Sequence, residues 1–507
     1  MNIKREKLLI KALRGRGQVY NLIGKNRVAI IDIEEGVKRA QYIQDKKLEA
    51  EILLQLSEVY NTISNYGRSL LLSKKALELY KKINERVGEA KSISCIGNVF
   101  WYRGNYNRAL KYYKDSLRLM NTYKDMRLTD SILNYIGAVY TEIGNYKKAL
   151  EYFHKALNIK EKKGDRRGKG GILNNIGLIY YYLSENKNAI KYFNSSMRIA
   201  DEIGDVKIKA SIYNNLGITY DNMERFEEAL DSYRNALVIG KMIGDLKVQG
   251  ESLNNMGGVF RIKGNYKKTL VCYNKSLEIR EKIGDRRGIE HSLFNIGLIY
   301  YFIGKYELAM RFFKQSLRIQ KKINDQVGMG YTLKEIARIF TEQKKYKHAI
   351  LYLNRAEGTA RRSYEKRLLS LVKIVKINLE LARGNIKNAL KLANKNLEIA
   401  SALHMTSNVA DILLLLARIY QKEGKMNKSQ DKFQEALKTL KSMGEKYTLS
   451  KAYYYYAEYF ATISEWEKAK YYLKKAREFF IKISNKPYQK KINSLYKRIN
   501  RTKSSKE

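Results

Sequence analysis

Paired asparagines stand forty residues apart at Asn174-Asn175, Asn214-Asn215 and Asn254-Asn255, with Asn134 before them and Asn295 after. A side-chain amide both donates and accepts. A column of amides at fixed spacing can therefore hold the backbone of an extended peptide whatever side chains that peptide carries. A hydrogen bond to the neighbouring segment is the competing use of each Asn, and the sequence leaves both open. Adjacent aromatics recur beside this column at Trp101-Tyr102, Tyr181-Tyr182 and Tyr301-Phe302. Neighbouring helix residues point about 100° apart, so one core seat does not account for both members of a pair, and Trp101, Tyr182 and Tyr301 are candidates for ligand pockets. Basic residues cluster in register at Arg261, His291, Lys334 and Arg338, where charge-assisted contacts to a carboxylate compete with ordinary surface charge as the reading.

Covalent and metal chemistry finds little to work with. The four histidines, His154, His291, His348 and His404, lie more than fifty residues apart, and neither Cys95 nor Cys272 has a CxxC or Cys/His partner. The run from Gly164 to Gly171 lacks P-loop spacing, follows a helical pattern instead of a strand, and recurs in weaker form from Gly284 to Gly288, so it reads as a turn. No acid, base and nucleophile converge. The expectation is a protein that is not an enzyme, with no catalytic residue, no cofactor and no metal.

These candidates need elements to carry them, and the chain aligns with itself in rows of forty without a gap. A small residue recurs at Gly97, Gly137, Gly177, Gly217, Gly257, Gly297, Ala337, Ala417 and Ala457, with an aromatic three places on, as at Phe100, Tyr140 and Tyr180. A second small residue follows twelve places after the first, at Ala109, Ala149, Ala189, Ala229 and Ala309 among others. Apolar spacing within a row predicts two helices, separated by steps such as Gly144-Asn145 and Gly164-Asp165 that end one helix and cap the next. Each pair buries its apolar face only by stacking on its neighbours. The fold class is therefore all-α.

The pattern of Leu/Ile, Gly and Tyr in the first helix, then Ala, Phe/Tyr and Ala/Ser in the second, resembles the tetratricopeptide repeat. Rows such as IGDRRGIEHSLFNIGLIYYFIGKYELAMRFFKQSLRIQKKI are similar to the longer, forty-residue variety found in kinesin light chains and in spindle adaptors that bind G-protein regulatory motifs. The resemblance implies a right-handed α-solenoid of about twelve helix-turn-helix units whose first (A) helices line a concave groove. It places groove positions six and three before the small residue, one after it, and four to five after it. It also implies that the asparagine column grips peptide backbone. The proline that ends the shorter consensus repeat is absent here, replaced by the Gly-Asp step.

On this reading residues 1–360 form an N-terminal superhelix of about nine repeats, 361–400 an irregular repeat, 401–484 the C-terminal repeats, and 485–507 a Lys-rich capping helix and tail. In the irregular row Ile377 and Glu380 occupy the small and aromatic seats, and Val372, Val375 and Leu379 sit one place off. That row either bends the array or is a degenerate repeat. In the last full row Tyr453 and Tyr456 are expected in the core, with Tyr454 and Tyr455 open to the groove or to a missing neighbour.

Lys+Arg 98 against Asp+Glu 51 gives a net charge of +47. Every fifty-residue segment is net basic except 201–250, so the excess is diffuse and no nucleic-acid motif gathers it. Codon usage of an AT-rich genome gives the same Lys, Ile, Asn and Tyr bias. The single proline and 44% hydrophobic content exclude collagen and long disorder, and no apolar stretch reaches the length of a bilayer span. The expectation is a cytoplasmic, non-enzymatic scaffold for protein–protein interaction. Its concave groove would hold an extended acidic peptide or partner segment. The alternatives are a sensor or regulatory arm of a bacterial-type signalling or transcription system, and nonspecific RNA binding through diffuse charge. Self-association through the open ends is compatible with the same pattern.

Overall fold

The computed structural model of the protein describes residues 3–123, 125–363, 365–443 and 446–504. These described residues form twenty-five α-helices and no strand. Most helices have seventeen residues, as in Arg166–Tyr182 and Asn186–Glu202, because the chain is punctuated every twentieth residue. At each described point of punctuation one residue takes a positive φ, from Gly24 (75°) through Gly104 (72°) and Gly204 (66°) to Gly384 (84°). That left-handed residue stops the helix. Where an Asp or Asn follows it, the side chain commonly caps the next helix, as where Asp165 accepts from the Gly168 amide at 2.8 Å and Asp325 from the Gly328 amide at 2.9 Å.

The small residues of the A helices leave room for rings on the paired B helices. A methyl group at Gly177 would stand 2.6 Å from Phe193, and one at Gly217 would stand 2.5 Å from Tyr233. The sixteen-residue offset repeats at Gly97 with Tyr113 and at Gly137 with Phe153. A second device ties the same helix pair. Ser116 donates to the carbonyl of Ala90, Ser196 to that of Gly170 and Ser276 to that of Gly250, each at 2.7 Å and each twenty-six residues back. These hydroxyls are fully buried, so the bond satisfies a donor that water cannot reach.

The chain divides into two compact units, one of residues 1–256 with 275–289, the other of residues 257–274 with 290–507. In the N-terminal unit the first turn meets much later ones. The Asn26 amide donates to the Ile283 carbonyl at 2.6 Å, and a methyl group at Gly244 would lie 3.4 Å from Ile23. The C-terminal unit carries the same device: Asn485 donates to the Phe302 carbonyl at 2.7 Å, and the Phe302 ring lies 4.5 Å from that of Tyr447.

The irregular row folds as an unbroken helix, Lys366–Ala382. Its shifted apolar residues Val372, Val375 and Leu379 pack with Leu333, Ala337 and Leu353 of the preceding repeat. Ile377 and Leu381 pack with Ala389 and Ile412 on the other side. The helix is thus buried over a wide arc instead of a narrow stripe. Further on, Tyr454 and Tyr455 are buried, contrary to the expectation that they stand open. The reason is the helix Lys486–Ser504, whose Tyr488 packs 5.8 Å from the Tyr454 ring. Ile492, Leu495 and Ile499 of that helix face inward. No helix of the described residues is long and apolar enough to cross a membrane.

Candidate functional site

Residues six and three before the small residue line a depression in each unit, joined in the C-terminal unit by those one after it. In the N-terminal unit a depression of about 470 Å³ has Ser131 and Gly171 from the first column and Asn134 and Asn174 from the second, with Asn175 beside them. Helices Thr129–Glu142, Arg166–Tyr182 and Val206–Asn222 supply these residues from three successive repeats. Lys160, Arg167 and Lys207 stand at its margin with Asp130.

The asparagines are brought together, and partly to bond one another. Asn175 donates to Asn134 at 3.0 Å, and Asn215 to Asn174 at 2.9 Å. Each such bond uses one of the two donors on one amide and one of the two lone pairs on the other, leaving capacity on both. Asn214 is turned inward, 7% exposed, and accepts from Ser252 at 3.0 Å. Asn254 and Asn255 lie half-buried on helix Leu246–Ile262, and Asn295 half-buried on helix Arg286–Phe302.

The aromatic candidates separate. Trp101 is half-buried and lines another depression of the N-terminal unit, about 380 Å³, where its indole Nε1 is enclosed without a hydrogen-bond partner. Tyr182 is 48% exposed and stacks on Tyr146, with ring centroids 5.6 Å apart. Tyr301 belongs to the C-terminal unit and is buried beneath the Arg338 guanidinium, which lies 4.0 Å over its ring. Burial pushes the Tyr301 hydroxyl well above the ordinary tyrosine pKa.

Of the basic candidates, Lys334 and Arg338 meet in one small cavity of the C-terminal unit, and Arg261, on helix Leu246–Ile262, is not part of its wall. Glu335 serves both cations, at 2.7 Å from Lys334 and 3.3 Å from Arg338. Sequence reasoning missed Arg418 and Lys451 opposite, and Tyr455, expected to stand open, is buried in the same wall. Register held the clue, because Arg418 follows Ala417 as Arg338 follows Ala337, and Lys451 stands six before Ala457. His291 is exposed beside Glu290, with its Nε2 3.0 Å from a carboxylate oxygen. Both cysteines are buried, and burial pushes the Cys95 thiol up to about 12, far from a nucleophile's range.

The repeat geometry agrees with sequence comparison. The tetratricopeptide repeat model matches residues 88–162, 170–239 and 249–322, each match spanning about two of the forty-residue helix pairs described above. Over these residues the chain is built of tetratricopeptide repeats. A model of anaphase-promoting complex subunit 5 also matches this chain, over residues 342–461. Comparison with curated protein sequences gives no significant match. Among solved structures, the apo form of the quorum sensor NprR from B. thuringiensis is similar at 16% identity and a TM-score of 0.49, covering 71% of this chain and 99% of that one. Aspartyl phosphate phosphatase F from Bacillus subtilis is similar at 16% identity and a TM-score of 0.48, covering 69% and 93%. A Rap protein complexed with Competence and Sporulation Factor is similar at 15% identity and a TM-score of 0.47, covering 70% and 98%. Likeness at this level carries no argument about what this chain does.

Proposed function

We propose that this protein is a non-enzymatic scaffold that holds an extended, acidic peptide segment on the inner face of its N-terminal unit. The observation that carries the reading is the 470 Å³ depression in which Asn134, Asn174 and Asn175 meet. Amides with spare donors and acceptors, spaced by one repeat, suit the repeating N–H and C=O groups of an extended chain. Lys207 at the margin is exposed, and Arg167 is only partly neutralised by Asp205 at 2.7 Å, so acidic side chains on the peptide find positive charge there. Asn215, Asn254 and Asn255 of the same unit continue these columns, while Tyr182 and Trp101 offer apolar seats beside them. The diffuse net charge strengthens encounter with acidic partners without selecting among them.

The test is a pull-down from the source cell at moderate and at high salt, comparing the native chain with Gly171→Leu. A Cβ added at Gly171 meets nothing within 4 Å, so this substitution starts into open space in the depression and removes no side-chain hydrogen bond. The expected result is a defined protein retained by the native chain at high salt and lost from a variant with unchanged circular dichroism. Equal retention by both forms, or release of everything from both by salt, overturns the reading.

A further inference from the structure

The C-terminal unit encloses a cavity of about 90 Å³ whose wall is built in two halves. One half is apolar, from Val375, Leu414 and Leu415, all buried. The other is cationic. Arg338 lies over the Tyr301 ring at 4.0 Å and Arg418 over the Tyr455 ring at 3.9 Å, so each guanidinium is held flat by a buried tyrosine. Lys451 reaches the same space and is in no ion pair among the described residues.

Positive charge in this cavity is incompletely matched. Arg338 has one ion pair, the 3.3 Å contact with a Glu335 that Lys334 holds more closely, and its Nε–H is enclosed without a partner. Arg418 donates to a neutral acceptor, Asn378, at 3.2 Å. The acidic residues on the wall are Asp411 and Glu342, and Glu342 is paired with Lys491 at 3.3 Å. Counting the wall and its ion-pair partners, Lys334, Arg338, Arg418, Lys451 and Lys491 stand against Glu335, Glu342 and Asp411. The excess also acts on Tyr455. Burial pushes its hydroxyl up, yet Arg418, Lys451 and Lys491 outweigh burial and hold its pKa below the ordinary tyrosine value.

Lys334 is buried and the other four cations are half-buried, so water screens the excess only in part and an anion beside them is favoured. A hydrophilic anion alone would leave the leucine and valine wall uncovered, so the occupant needs an apolar end. We propose that the cavity binds a free short-chain aliphatic carboxylate, its carboxylate meeting Arg338, Arg418 and Lys451 and its hydrocarbon end packing on Val375, Leu414 and Leu415. Scaled from an apolar cavity of about 150 Å³ that takes benzene, the space holds about four heavy atoms, the size of acetate and one fewer than propionate. This site lies in the C-terminal unit and does not depend on peptide binding by the N-terminal one.

The test is titration calorimetry of the full chain with propionate, propionamide, inorganic phosphate and N-acetylglycylglycine. The expected result is one propionate bound per chain, no heat from the isosteric but neutral propionamide, and weaker binding of the other two anions. Lys451→Gln should weaken propionate roughly tenfold or more, the loss of one charge-assisted contact, with melting unchanged because Lys451 has no ion pair to lose. Arg418→Gln should weaken it further, and if that variant fails to fold, Lys451→Gln alone decides. Absence of saturable propionate binding, equal binding of propionamide, or unchanged affinity in folded Lys451→Gln overturns the proposal. Tighter phosphate overturns the carboxylate assignment, and tighter N-acetylglycylglycine overturns the free acid in favour of a chain terminus.

Discussion

The side-chain amide of Asn26 donates to the backbone carbonyl of Ile283 at 2.6 Å, across 257 residues of sequence. Ile283 is the last residue of its helix, Tyr266–Ile283, so its carbonyl lacks an intrahelical partner and the amide supplies one. In the other unit Asn485 does the same for Phe302, the last residue of Arg286–Phe302, at 2.7 Å. Both bonds are buried, and both fix how far one turn of repeats stands from another within its unit.

Asn26→Ala should therefore lower stability by about 1 to 3 kcal/mol, the range for stranding a buried hydrogen-bonding group. Amide exchange should quicken at residues 23–26 and 281–284 and stay unchanged in repeats between them. Asn485→Ala should do the same around residues 300–304. Exchange that quickens evenly over the whole unit would show that the bond has no local role.

The glycines of the A helices divide by what a methyl group would meet. Gly217→Ala drives the new carbon to 2.5 Å from the Tyr233 ring and should cost about 1 to 3 kcal/mol as overpacking. Gly258 has nothing within 4 Å, so Gly258→Ala should gain about 0.5 to 1 kcal/mol from helix propensity alone. Urea denaturation of the two variants gives the comparison. Adding Tyr233→Leu to Gly217→Ala should give a double variant less destabilised than the sum of the singles, since the two residues share one space.

The period and the helix pairs were legible because each is a local pattern repeated down the chain, whereas the lining columns were expected only from the family resemblance. Gly164-Asp165 and its relatives announce their turns by residue type. Gln44, Glu224, Lys344 and His404 do not, yet they take φ of 55°, 59°, 59° and 51°, because stacked seventeen-residue helices leave no other path at that step. Periodicity gave the asparagine column but not its bonding partners, since an amide suits a neighbour or a ligand equally. Contacts such as Asn26 with Ile283 and Tyr454 with Tyr488 depend on curvature, which accumulates from small rotations between repeats that no single residue encodes. The cavity around Arg338 and Arg418 lay between these cases, with its columns visible and its closure hidden.

Asp130 is 2% exposed, and the ammonium groups of Lys160 and Lys163 lie 2.5 and 2.6 Å from its two oxygens. Burial pushes the carboxyl up, but the two lysines outweigh it and hold its pKa below the ordinary value. A carboxyl depressed on folding adds stability above its unfolded pKa of about 3.9, and that stability is lost as the pH falls through the folded value. Asp130→Asn should melt below the native chain at pH 7, and the gap should close as the pH is taken from about 4 to 2. Parallel melting curves across that range would remove the pair from the account of acid stability.

The last prediction separates backbone strain from crowding at the turns. Gly204 has φ of 66° and nothing within 4 Å of an added methyl group, so Gly204→Ala meets no obstacle except its own conformation. The left-handed region disfavours an L side chain by roughly 1 to 2 kcal/mol, and Gly204→Ala should be destabilised by about that amount. Glu224 occupies the equivalent step at φ 59° and already bears this strain. Glu224→Gly relieves it, offset in part by the greater freedom of glycine in the unfolded chain, and should gain about 0.5 to 1 kcal/mol. Both variants are read by urea denaturation at one pH. A loss in Glu224→Gly would mean that the glutamate side chain makes a contact worth more than the strain it imposes, and that the repeat selects this turn residue for its side chain as well as for its backbone.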